Sequence, residues 1–293
     1  PTVIQAETYD VLVSWDDLYL FRFALPHIPI KVICYQLNAS VVGVLSHVID
    51  AYFHPSQWHA NRFSSLFDVP KGKQYVGLTN GTAVVTVDAP ARGDHVVWAS
   101  SPDRGLHHLL RMWPRIREQV PSAELHIYYD MDRWLARVTD LMQLGHTLIT
   151  TAHAIEVKKY LTPLLQEGGG VTYHGGVSRA RVNIAMLQAK VLAYPCDPVA
   201  PTEGFSMTTL EGWAAGCQVV VSDADALQEL WGHRDGVTCL PLPIADDLWV
   251  DQVVKALQAD TKPGQREVPR ELTWPYIAQK WVEVFDDLLA GTP

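Results

Sequence analysis

Glu203 and Glu211 bracket the stretch Glu203-Gly204-Phe205-Ser206-Met207-Thr208-Thr209-Leu210-Glu211, in which a Gly-aromatic-small turn opens an apolar helix. The first turn of a helix leaves backbone N–H groups without intrahelical partners and carries a partial positive charge. Such an end is a seat for a phosphate. One carboxylate ahead of that seat and another in the second helical turn are placed to accept hydrogen bonds from sugar and ribose hydroxyls around it. Gly204 lets the backbone approach a ligand closely. Ser206 and Thr208 add first-turn hydroxyls, and Ser206 serves equally well as a plain helix cap. The bland alternative is a pair of surface glutamates flanking an ordinary helix.

The elements around this stretch are those of an α/β protein. Its helix runs into Trp213-Ala214-Ala215-Gly216, where Gly216 ends it, and the strand Gln218-Val219-Val220-Val221 follows. From His95 onward, strands and helices alternate regularly. Strands are expected at 95–99, 124–129, 171–173, 190–194 and 237–240, with helices at 104–118, 155–166, 178–188, 245–259 and 274–289 and an amphipathic stretch at 131–144. That order implies a parallel, doubly wound sheet. Earlier, strands are expected at 9–15, 30–35 and 49–54, and a helix capped by Ser56 runs to residue 67. Tyr75-Val76-Gly77-Leu78 leads into an Asn80-Gly81 turn, and 89–94 is a linker. The last helix carries Trp281, Val284, Phe285 and Leu288 on one stripe.

The segment from Ala193-Tyr194-Pro195 through Glu203, Glu211 and Ser222-Asp223 to Ala226-Leu227-Gln228-Glu229 resembles the E-x7-E region of retaining, nucleotide-sugar-dependent glycosyltransferases, family 4 in particular. The resemblance implies a GT-B-like fold: two Rossmann-like parallel-sheet domains, with a C-terminal helix returning to the first. It places a partial acceptor domain at 1–92, a donor-binding domain at 93–272 and the returning helix at 273–293. The second half matches nearly throughout. The first half matches only the later part of the family's acceptor domain, so that domain is expected to be abbreviated.

The same resemblance assigns roles. Glu203 is the catalytic carboxylate, lying against the donor sugar and steadying positive charge at the anomeric carbon. Glu211 holds the ribose diol, and the backbone of Gly204, Phe205 and Ser206, with the Thr208 hydroxyl, meets sugar and phosphate oxygens. In Trp98-Ala99-Ser100-Ser101-Pro102-Asp103-Arg104-Gly105, the pair Arg104-Gly105 fills the family's Lys-Gly slot, where a guanidinium forks onto the diphosphate. Ser100 or Ser101 stands in the region of the family's earlier Arg. The loop His174-Gly175-Gly176-Val177 falls to the nucleotide base, with Gly175 and Val177 as donor-site residues and the His174 ring read as a satisfied loop histidine. On the acceptor side, Gln36 or Asn38 replaces the family's His.

Composition narrows the partners. A net charge of −9 over 293 residues argues against nucleic acid. Cys34, Cys196, Cys217 and Cys239 form no C-x-x-C pair and read as buried thiols of a reducing compartment. Without a membrane-length apolar run or signal peptide, the cytoplasm is expected, peripheral membrane association remaining compatible. The twelve histidines show no metal-ligand spacing, and His107 and His108 are expected on different helix faces. Neither a metal nor another cofactor is expected, the nucleotide sugar being a co-substrate.

The resemblance implies transfer of a sugar, with retained configuration, from a UDP- or GDP-linked donor to a glycan, lipid-linked or small-molecule acceptor in the interdomain cleft. The missing Arg and His and the short first domain keep a second reading open: a nucleotide-sugar-binding protein that does not transfer, or that needs a homodimer or partner to complete it. An epimerase or phosphorylase of the same architecture is a third.

Overall fold

The computed structural model describes residues 9–15, 30–34, 49–66, 73–82, 91–143, 148–166, 168–198, 201–260 and 266–291. The chain divides into two compact units: Pro1–Val85, Pro201–Phe205 and Val268–Pro293 form the first, and Thr86–Ala200 with Ser206–Glu267 form the second. Each is built on a wholly parallel sheet, the α/β class expected from the sequence.

In the first unit, strands β1 (Val11–Trp15), β2 (Ile30–Cys34), β3 (Ala51–His54) and β4 (Gln74–Val76) lie side by side in that order, all parallel. Helix α1 (Gln57–Leu66) begins where the Ser56 hydroxyl accepts a hydrogen bond from His59 N at 3.1 Å.

The C-terminal helix of this unit, designated α9 (Trp274–Ala290), packs its stripe on the sheet. Val284 joins Ile30, Val32, Cys34, Ala51 and Phe53 in one core, with Trp281, Phe285 and Leu288 against it. Phe53 is fully buried, its ring edge-on to Trp281 at 5.3 Å and stacked with Phe285 at 6.3 Å. Asn80-Gly81 serves close approach here: a Cβ on Gly81 would stand 2.8 Å from Trp274 N at the start of α9. Thr82 pairs with Thr273 across that contact.

The second unit holds β5 (Gly93–Trp98), β6 (Glu124–Tyr128), β7 (Val171–Gly175), β8 (Ala189–Tyr194), β9 (Gln218–Ser222) and β10 (Val237–Leu240), in the parallel order β10-β9-β8-β5-β6-β7. The central strands are buried on both faces, which explains runs such as Val96-Val97-Trp98 and Val219-Val220-Val221. The connecting helices are α2 (Leu106–Gln119), α3 (Met131–Gln143), α4 (Leu148–Leu164), α5 (Arg179–Gln188), α6 (Met207–Ala214), α7 (Leu227–Trp231) and α8 (Asp246–Gln258).

Several local expectations shift. Helix α4 starts at Leu148, ahead of residue 155, and the helix as a whole packs against α2. The segment expected as helix from 104 opens with a 3-10 turn, Pro102–Arg104, before α2. His174 is a strand residue of β7. Cys239 is half-buried, unlike the three other thiols. Among the described residues, no helix is long and apolar enough to cross a membrane.

Beneath β3, His54 and His59 are both buried, with their Nδ1 atoms 3.0 Å apart. Burial, with mutual repulsion at His54 and Arg62 near His59, lowers their pKa values from 6.5 to about 3 and about 4. Depressed histidine values stabilise the fold above the unfolded pKa, and this contribution disappears as pH falls through the folded values. The first unit is therefore expected to lose stability progressively from about pH 6.5 down to about 3. Thermal melts across that range, compared with a His59→Leu variant whose slope is shallower, check it.

Candidate functional site

In the second sheet β5 sits between β6 and β8, so the crossovers leaving β5 and β8 diverge to opposite faces. Ligands of open α/β sheets bind at such a switch point, beyond the carboxyl ends of the strands. Here the loop after β5 carries residues 99–105, and the chain after β8 leads to α6.

Backbone contact fixes these two loops to one another. Gly105 has φ of 112°, and a Cβ there would fall 1.9 Å from the Pro195 carbonyl oxygen. Only glycine meets both demands. Asp197 N donates to Arg104 O at 3.3 Å, and the Thr208 hydroxyl donates to Ala99 O at 2.8 Å. The start of α6 is thereby tied to the end of β5. Arg104 is half-buried beside the end of β8. Its positive charge opposes the burial that raises the Tyr194 hydroxyl's pKa and pushes the Cys196 thiol up to about 12.

Ser206 caps α6, its hydroxyl 2.8 Å from Thr209 Oγ1 and accepting from Thr209 N at 3.4 Å. Its backbone is left-handed, with φ of 68° and ψ of 85°, a conformation that costs a residue bearing a Cβ about 1 kcal/mol or more. Helix α6 lies close on β8, since a Cβ on Gly212 would meet Leu192 Cδ2 at 2.6 Å. That face buries Thr209, Leu210 and Trp213 and leaves Glu211 on the flank.

The Glu211 side chain is 13% exposed and pairs with Arg179, the first residue of α5. Burial raises the Glu211 pKa, and the Arg179 charge and hydrogen bond oppose that rise. Glu203 is buried at 3% exposure, as are Gly204 and Phe205 beside it. At the end of β7, Gly175 is left-handed, and a Cβ on Gly176 would press on Asp130 Cβ at 2.9 Å. Val177 is exposed.

The structure thus gathers the 99–105 loop, Arg104 and the start of α6 within one unit. It also shows what some hydroxyls already do. Ser100 Oγ lies 3.1 Å from Tyr194 OH, Ser101 donates to Asp103, and the Thr208 proton goes to Ala99. These bonds tie the loops together. Gln36 and Asn38 lie outside the described residues.

The His174 ring is satisfied: it stacks on Tyr128 at 4.3 Å, with Nε2 2.9 Å from His126 Nδ1. His107 and His108 lie side by side and reach different partners. Their ring centroids are 4.0 Å apart, although His107 reaches Glu156 and His108 reaches Asp197. Two features went unseen in the sequence. Arg179 is far from Glu211 along the chain, and only Ser178, a good helix cap, marks its place. His95, Glu124 and His126 converge because β5 and β6 pair, with the alternation of Glu124 and His126 as the one local signal.

The family model for glycosyl transferases group 1 matches residues 93–259. No curated protein matches the chain in sequence. A mutant of TarM from S. aureus, solved in complex with fondaparinux, alpha-GlcNAc-glycerol and UDP, superposes with a TM-score of 0.61 at 10% identity, over 97% of this chain and 52% of that one. Sucrose-phosphate synthase from Thermosynechococcus elongatus gives 0.61 at 15% identity, over 96% and 74%. The apo lipopolysaccharide outer core galactosyltransferase WaaB gives 0.59 at 14%, over 96% and 77%. The chain thus spans about half the length of TarM, and the likeness to all three is one of GT-B fold. With more than half of its 293 residues inside the family match, the chain belongs to the glycosyl transferases group 1.

Proposed function

We propose that the protein is a retaining glycosyltransferase that moves a sugar from a nucleotide-diphosphate sugar to a glycan, lipid-linked or small-molecule acceptor. The observation that carries this reading is the seat at the switch point, where Arg104 and the capped start of α6 are held together by the Thr208–Ala99 bond and the Gly105–Pro195 contact. A diphosphate there meets a guanidinium and the N–H groups of a helix start, so its charge is offset by the protein's own donors and no metal is required in this reading. Glu211, buried and on the flank of α6, is assigned to the ribose diol. Glu203, buried and a few residues ahead of the helix along the chain, is assigned to the donor sugar. UDP is favoured as the nucleotide, since it is the one bound to TarM and to the pneumococcal O-GlcNAc transferase GtfA.

In the reaction, the bond from the anomeric carbon to the diphosphate oxygen breaks and the nucleoside diphosphate departs with the electron pair. The acceptor oxygen then bonds to the same face of that carbon and passes its proton to a leaving phosphate oxygen. Glu203 steadies the positive charge that develops between the two events.

A thermal-shift panel of UDP-, GDP-, ADP- and dTDP-sugars identifies the base, since a bound ligand raises the melting temperature by mass action. Release of free nucleotide on adding acceptor then separates transfer from mere binding. Glu203→Ala is expected to abolish transfer and keep most nucleotide affinity; parallel loss of both rejects the division of labour. Arg104→Ala is expected to weaken UDP binding by about tenfold or more while uridine is little affected, measured by calorimetry. Gly105→Ala is expected to cost more than about 1 kcal/mol of stability, read by denaturant melts, and to lower nucleotide affinity with it.

A further inference from the structure

Away from the donor seat, one cluster of side chains has the chemistry of a metal site. His95 is the third residue of β5, Glu124 opens β6 and His126 lies two residues on, with its side chain on the same face as that of Glu124. Strand register sets His95 directly opposite Glu124. His95 Nε2 lies 3.7 Å and His126 Nε2 3.3 Å from Glu124 Oε2, and the three candidate ligand atoms all fall within 4.8 Å of one another. A tetrahedral ion with bonds of about 2.0–2.1 Å holds its ligand atoms about 3.4 Å apart.

The hydrogen bond on the far side of the His126 ring is compatible with the same conclusion. His126 Nδ1 lies 2.9 Å from His174 Nε2, and the His174 ring is held by its stack on Tyr128. With its proton on Nδ1 and donated to His174, His126 presents a lone pair at Nε2. That Nε2 is buried and lies 3.3 Å from Glu124 Oε2. In that tautomer a lone pair and a carboxylate oxygen face each other, and a cation between them satisfies both. A third ring, His95, turns its Nε2 toward the same carboxylate, while Glu124 is exposed enough to leave a position for solvent.

We propose that His95 Nε2, Glu124 Oε2 and His126 Nε2 form a binding site for a divalent transition ion of the zinc class. Two imidazoles and one carboxylate with an open fourth position suit Zn2+, Co2+ or Ni2+ and do not suit Mg2+ or Ca2+. His174 orients His126 from behind. The ion links the amino-terminal halves of β5 and β6, and through His174 it braces β7. The role is structural and stands independently of the sugar-transfer reading.

The test uses the tag-free chain, stripped with a chelator that is then removed. ZnCl2 at about a hundred times its Kd is expected to raise the melting temperature by roughly 5–10 °C, and one equivalent of Co2+ is expected to give the visible absorption of a four- or five-coordinate site. Glu124→Gln and His95→Asn, both at accessible positions, are expected to fold and to lose both responses. No response of the native chain to Zn2+ or Co2+ overturns the proposal. So does a response that persists in both variants, or an equal stabilisation by Mg2+.

Discussion

The pairing of β5 with β8 at the middle of the second sheet is the constraint on which the proposed donor seat depends. Crossovers from these two neighbours run to opposite faces, so their following loops meet at the carboxyl ends with no helix covering them. The meeting is of backbone with backbone. Gly105 lies so close to the Pro195 carbonyl that any side chain would collide, and Asp197 N bonds Arg104 O beside it. Arg104 is therefore held by main-chain contacts at the sheet's edge, and the start of α6 by the Thr208 hydroxyl on Ala99 O.

Charge in the site follows from that geometry. The start of α6 offers N–H groups and a partial positive charge, and Ser206 holds a left-handed conformation to begin the helix at that point. Local strain of this kind persists only where the surroundings enforce it. Ser206 is so enforced by its two contacts with Thr209 and by the Thr208 anchor on Ala99. On the flank, Glu211 is caught between burial, which favours its protonated form, and Arg179, which favours the carboxylate. A ligand that brings hydroxyl donors to Glu211 adds to the side of Arg179, stabilising the charged form in a place where water is thin.

How far the sequence reveals this depends on the range of each interaction. Strands such as Val219-Val220-Val221 and the stripe of Trp281, Val284, Phe285 and Leu288 announce themselves because periodicity is local and burial follows it. The Glu203–Glu211 stretch is legible for the same reason: turn, cap and helix lie within one short segment. Helix α4 begins earlier than its β-branched residues suggest, and its packing on α2 joins elements that the local pattern treats separately. The Glu211–Arg179 pair and the trio His95, Glu124 and His126 were hidden because each is assembled by elements distant along the chain. A search for metal-ligand spacing within one segment finds ligands on a single helix or loop and misses those that strand register brings together.

The two proposed sites of the second unit occupy different parts of the same strands. On β5, His95 belongs to the early half, and Ala99, which receives the Thr208 hydroxyl, stands just past the end. On β6 and β7 the separation narrows. His126 reaches forward to His174, and the next residue, Gly175, begins the loop that the family resemblance gives to the nucleotide base. His174 is thus held from three directions, by His126, by the Tyr128 stack and by its own strand. Its ring does not need to touch a nucleotide to matter for one. Held in this way, His174 fixes the end of β7, where Gly175 closes the strand and Gly176 follows.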